Sequence, residues 1–263
     1  MKKAFLLWGI LILLILAGVP SAEEIPGVEE IIDRANKAAY YAGNDGKATV
    51  SMTITDAQGR VRTREFNVLR KDVADGGEQK FYVYFKKPGD VRKMVFIVHK
   101  NITTDDDRWL YLPALDLVKR IAASDKRTSF AGSHFLYEDI SGRSVHEDDH
   151  TLTATDDNYF ILNNVPKDPS TVEFSSYKVW IDRKTFMPMK AEYIDSDSRI
   201  YRVVEALEVK EIQGHPTVVR SRVQNLINGG ETVSVFTDIK YDIGLGDIFT
   251  ERYLRRAPKE ARK

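Results

Sequence analysis

The chain has 263 residues, 43% of them hydrophobic, with 39 basic and 39 acidic side chains and no cysteine. No disulfide can hold it together, so its stability rests on a core, which a chain of this length can build. The charge balance argues against nucleic acid as a partner.

In chain order, residues 1–22 read as a cleaved signal peptide. Lys2 and Lys3 precede an apolar run from Ala4 to Ala17, and Gly18, Val19, Pro20, Ser21 and Ala22 suit cleavage after Ser21 or Ala22. The run is short for a membrane span. Leu16-Ala17-Gly18 begins like a bacterial lipidation box, but Val19 stands where the modified cysteine would be, so an unlipidated, soluble, exported protein is expected. The remainder, 23–263, carries 37 basic and 39 acidic residues and is expected to form one domain.

Residues 25–41 carry Ile31, Ile32, Ala35, Ala38 and Ala39 at helical spacing between charged positions, which predicts an amphipathic helix. The period then changes to two. Ala48, Val50, Met52 and Ile54 alternate with polar residues over 47–55, and Ala57-Gln58-Gly59 turns the chain into 61–69. Strands follow at 80–86, 93–99, 108–112 and 117–121, several of them apolar on both faces, which predicts cover on both sides. Residues 122–149 are less regular and contain a short helix. Further strands at 172–181, 187–193, 201–212, 217–227 and 231–241 are separated by Asp182-Arg183-Lys184-Thr185, Gln213-Gly214 and Asn228-Gly229-Gly230. These are antiparallel turn signals, giving roughly nine to eleven candidate strands in a mainly β protein. The tail, 248–263, ends basic and reads as a frayed, solvated segment.

Three motifs suggest chemistry. His146-Glu147-Asp148-Asp149-His150 fits H-E-x-x-H, a zinc hydrolase signature, but the motif works only on a helix, and the flanking Ser141-Gly142 and Thr151-Leu152-Thr153 predict a loop entering a strand. Gly142-Arg143-Ser144 lacks the closing glycine of a nucleophile elbow. Asp105-Asp106-Asp107 lacks the alternating spacing of a calcium loop. No catalytic residue, metal or cofactor is expected, and the zinc reading stays as the remote enzymatic alternative.

What remains is a surplus of large apolar residues in the middle of the chain, either a filled core or the wall of a pocket. Here the chain resembles a known family. Pro88-Gly89-Asp90, Asp106-Asp107-Arg108-Trp109-Leu110-Tyr111-Leu112-Pro113-Ala114-Leu115, Val118-Lys119-Arg120-Ile121, Ser129-Phe130-Ala131-Gly132-Ser133-His134-Phe135, Tyr137-Glu138-Asp139 and Val179-Trp180-Ile181-Asp182 with Pro188 resemble the outer-membrane lipoprotein-sorting family of LolA/LolB-like periplasmic carriers. The resemblance implies an unclosed, curved antiparallel β-barrel of about eleven strands with a helical lid and a hydrophobic cavity for acyl chains. It also implies residence in a Gram-negative periplasm, with an inner-membrane exporter as donor and an outer-membrane acceptor as partners. On that reading Ile31, Ile32 and Ala35 belong to the lid. Met52, Ile54, Phe81, Phe85, Met94, Phe96, Trp109 and Tyr111 line the cavity, and Arg92, Lys119 and Arg120 meet headgroups. The alternative is an envelope adaptor whose pocket is filled by its own side chains.

Overall fold

The computed structural model describes residues 25–263, so the signal peptide expected at 1–22 lies outside the described residues. Helix α1 (Val28–Tyr40) comes first, as its spacing predicts. The strands are β1 (Asp45–Thr55), β2 (Val61–Asp72), β3 (Gln79–Lys87), β4 (Val95–Lys100), β5 (Asp107–Leu112), β6 (Leu117–Ile121), β7 (Asp148–Thr155), β8 (Tyr159–Pro166), β9 (Ser176–Asp182), β10 (Pro188–Ile194), β11 (Ile200–Ile212), β12 (His215–Asn225) and β13 (Glu231–Tyr241). They form one antiparallel sheet in the order β6-β5-β4-β3-β2-β1-β13-β12-β11-β10-β9-β8-β7. The sheet is curved and does not close on itself. There are thirteen strands rather than about eleven; the two additions are β7 and β8.

Two-residue periodicity sends alternate side chains to opposite faces, and both faces are apolar in β3 to β5. Phe81, Val83 and Phe85 enter one core on the concave face, while Tyr82 and Tyr84 enter another on the convex face. The concave core of this half is completed by the segment 122–147. Phe130 is fully buried with its ring 6.1 Å from Phe66, 5.7 Å from Phe85, 5.5 Å from Phe96 and 5.7 Å from Tyr137. Helix α2 (Tyr137–Ser141) lies within this plug; Asp139 accepts a 2.7 Å hydrogen bond from the Leu136 amide. Gly142 closes the helix at φ 76°, and a Cβ there would lie 2.4 Å from the Tyr40 ring of α1. Only glycine meets both demands.

The convex core is covered by the C-terminal tail, which is not the frayed segment its charge suggests. Leu245, Ile248, Phe249, Leu254 and Ala261 are buried against Leu69, Tyr82, Val95 and Ile97. Its backbone is held as well. Tyr82 donates to the Tyr253 carbonyl at 2.8 Å, Lys71 to that of Leu245 at 2.6 Å, and buried Asn67 to that of Ala261 at 2.8 Å. The basic side chains of 252–263 face outward from helix α3 (Lys259–Arg262) and the loop before it.

Candidate functional site

Helix α1 lies across the other half of the concave face, packing on β7, β10 and β12. Its apolar stripe divides into two functions. Ile31 and Ala35 are buried against Phe160, Leu162, Ile181 and Phe186, and the Arg34 guanidinium stacks 3.5 Å from the Phe186 ring centre. The neighbouring positions Ile32, Ala35, Asn36, Ala39 and Tyr40 overhang open space.

That space is a cavity in two chambers of about 380 Å³ and 280 Å³, which share Ala39, Tyr40, Asp139, Met187, Val218 and Phe236 as walls. The larger one runs beneath α1 over Val179, Ile181, Ala191, Val204 and Ala206; the smaller reaches Gly46, Ala48, Val68 and Ile239. Small side chains on the helix and on β10 and β11 keep it open. The volume is that of a small-molecule site, and the wall is mostly apolar. A wider cleft of about 930 Å³ beside the start of α1, lined by Arg34, Asp157, Arg183 and Phe186, is mostly polar and offers an apolar ligand little wall.

One side of the cavity is a polar floor supplied by the plug. Glu138, 3% exposed, takes ion pairs from Lys126, Arg127 and Arg143. Arg143 binds Asp148 at 2.9 Å, Tyr177 donates to Asp148 at 2.7 Å, Arg127 binds Glu173 at 2.6 Å, and Arg202 pairs with Asp139. Burial pushes the Glu138 carboxyl up, but the three cations outweigh it and hold it below the usual range. Burial pushes the Glu173 carboxyl up too, yet Arg127 and Tyr201 bring it to about 2. The phenols of Tyr40, Tyr177 and Tyr193 are raised by burial and stay neutral. The floor's ion pairs tie the plug to the sheet, although Nε and Nη1 of buried Arg202 have no hydrogen-bond partner among the described residues.

The structure divides the residues singled out from sequence. Ile32 and Ala35 line the cavity, whereas Ile31 is buried between α1 and the sheet against Phe160, Leu162, Ile181 and Phe186. Met52, Ile54, Phe85, Met94 and Phe96 face the concave side, as the lining role needs, but they are packed against the plug; of the strand candidates only Phe81 touches the open space. Trp109 and Tyr111 point the other way, into the convex core under the tail, because their parity in β5 is opposite to that of Leu110. Arg92, Lys119 and Arg120 are exposed on the β3–β4 turn and edge strand β6, away from the cavity, and Arg120 pairs with Asp107. Sequence reasoning missed the actual wall: Ala39, Val179, Ala191 and Val218, where modest side chains leave space, together with the larger Met187 and Phe236.

The H-E-x-x-H stretch is a 3-10 turn at Val145–Glu147 running into β7, so its two histidines do not share a helical face. His150 bonds Asn164 at 2.6 Å and the Val145 carbonyl at 2.8 Å, while Glu147 pairs with Lys126 and Arg143. Among the described residues no three potential ligands gather as a metal site.

With this geometry in view, comparison with known proteins identifies the architecture. A family model described as "Uncharacterized protein" matches residues 77–256. The structure of a DUF1329 family protein from Desulfovibrio piger is 30% identical, with a TM-score of 0.78 over 86% of this chain and 98% of that one. A putative outer membrane lipoprotein-sorting protein domain from Vibrio parahaemolyticus is 27% identical, with a TM-score of 0.78 over 87% of this chain and 98% of the other. A LolA superfamily protein from Nitrosomonas europaea, at 19% identity, shares the fold with a TM-score of 0.68 over 88% of this chain and all of that one (100%). No curated protein matches. No helix among the described residues is long and apolar enough to cross a membrane.

Proposed function

The chain belongs to the DUF1329 family, with the fold of the LolA-type lipoprotein-sorting proteins, and on that premise we propose that it is a periplasmic carrier of lipid or lipoprotein acyl chains, without enzymatic activity. The observation that supports this reading is the apolar cavity beneath α1. Each methylene removed from water contributes about 0.8 kcal/mol, so an acyl chain leaves a bilayer only for a comparable apolar surface. The cavity walls supply such a surface. Release then requires that the grip be moderate, and a lid provides the moderation. Widening the cavity means lifting α1 from Phe160, Leu162, Ile181 and Phe186, and the lost packing is subtracted from the affinity. The donor is an inner-membrane exporter and the acceptor lies in the outer membrane; cargo passes by successive differences in affinity.

The test is native mass spectrometry of the protein purified without detergent, followed by organic extraction. A stoichiometric lipid or acylated peptide is the expected result. A bare protein that also ignores added fatty acid and an apolar dye overturns the carrier reading in favour of an envelope adaptor.

A further inference from the structure

The antiparallel order brings four turns side by side along one end of the sheet: 113–116 between β5 and β6, 88–94 between β3 and β4, 56–60 between β1 and β2, and 226–230 between β12 and β13. At about 10 Å for every two strands they form a ridge about 30 Å long. The turns of β1–β2 and β12–β13 nest closely. A Cβ on Gly230 would lie 2.7 Å from the Thr55 carbonyl oxygen, and one on Gly229 would lie 3.2 Å from the Ala57 Cβ.

Large apolar side chains stand out along this ridge. Leu115 is 70% exposed and Val61 60%, with Leu117, Leu226 and Ile227 also open to solvent. Every carboxylate among them is already neutralised: Asp56 by Arg60 at 2.7 Å, Asp90 by Arg64 at 3.4 Å and Asp116 by Arg255 at 2.9 Å. The Arg255 contact also brings the exposed Arg256 beside the first turn. Left over are the cations Arg62, Arg92, Lys93 and Arg256, exposed and without an ion pair among the described residues. The far ends of the same strands have the opposite character. The turns at 73–78 and 101–106 carry Asp75, Glu78 and Asp105 and no cation, while Asp106 is paired with Arg108 at 2.7 Å.

We propose that this ridge docks the protein on the anionic surface of a lipid bilayer. The tips of Leu115, Leu117, Val61, Leu226 and Ile227 reach into the headgroup layer, and Arg62, Arg92, Lys93 and Arg256 face lipid phosphates. A protein partner would call for one contiguous apolar centre depleted of charge. Separate apolar tips with cations between them fit the layered chemistry of a membrane interface instead. The acidic far end then points away from the bilayer, so charge alone orients the molecule. The inference goes beyond cargo binding, since it concerns the outside of the sheet.

The experiment is cosedimentation of the purified protein with vesicles of phosphatidylglycerol and phosphatidylethanolamine, or of phosphatidylcholine alone, with extracted lipid measured separately. Binding is expected on the anionic vesicles and is expected to fall as salt rises. The pair Arg92→Glu and Lys93→Glu should lower partitioning at least tenfold, Leu115→Ser with Leu226→Ser about tenfold, and Val73→Ser at the far end should leave it unchanged. All are surface positions, and an unaltered melting midpoint verifies folding. No binding, equal binding to both vesicles, or ridge variants that bind like the parent would each overturn the proposal. Ridge-dependent self-association without vesicle binding would overturn it too and assign the ridge to a second copy.

Discussion

The two halves of the concave face share one sheet and one backbone geometry, yet one is filled and the other is hollow. Over β1 to β5 the face carries Phe66, Phe81, Phe85 and Phe96, and the plug drives Phe130 among them. Over β9 to β13 it carries Val179, Ala191, Val204, Ala206 and Val218 beneath the alanines of α1. Open space is left where the alanines of α1 face Ala191 and Ala206, while Phe66, Phe85, Phe96 and Phe130 fill the other half with their own rings.

The sharpest way to break the contrast is Phe130→Ala, which should destabilise the protein by about 3–5 kcal/mol in urea unfolding, because a rigid ring of neighbours cannot collapse on the void. Next comes Glu138→Gln. Lys126, Arg127 and Arg143 would keep their buried charge without its partner, and a loss of about 3 kcal/mol is expected. Acid should act on the same ion pairs. Glu138 and Glu173 titrate below the ordinary carboxylate value of 4.5 in the fold, Glu173 at about 2. Their contribution is therefore complete above about pH 4.5 and is lost as pH falls through the folded values. Melting midpoints should drop over that window, and less in Glu138→Gln than in the parent.

A matched pair of substitutions sharpens the comparison further. Val83→Phe adds bulk to a fully buried site in the filled half and should cost about 1–3 kcal/mol. Ala191→Phe adds more bulk to the hollow half and should cost under about 1 kcal/mol, while apolar-dye binding falls at least tenfold. Equal costs would mean that the cavity is not open in solution. The smallest effect is expected from Arg34→Ala, about 0.5–1 kcal/mol from its stacking on Phe186, with faster dye uptake as the lid loosens.

Much of this was legible beforehand. Eleven strands and α1 follow from periodicity, because Met52 and Ile54 or Phe81 and Phe85 alternate cleanly. Strands β7 and β8 escaped notice for different reasons. β7 is an edge strand of Asp, His and Thr with little to bury, and β8 opens with the unbroken run Tyr159-Phe160-Ile161-Leu162, where a period of two is invisible. The facing of Trp109 and Tyr111 was illegible because both sides of β5 are apolar, and the cover on the convex side is a tail whose exposed arginines conceal its Leu254 and Ala261. No local pattern says that 122–147 turns back into the sheet; that depends on contacts such as Phe130 with Phe66, sixty-four positions apart in sequence.

The pairing of β1 with β13, Val50 opposite Phe236, has a bearing on the order of events when the chain is made. The two flanks of the sheet are built from hairpins between sequence neighbours and can form early, but the seam that joins them links the first strand to the last. Until residues 231–241 have emerged, β1 has one unpaired edge and the flanks remain separate ribbons. A chain of this design becomes a single sheet only when nearly its whole length is available to fold.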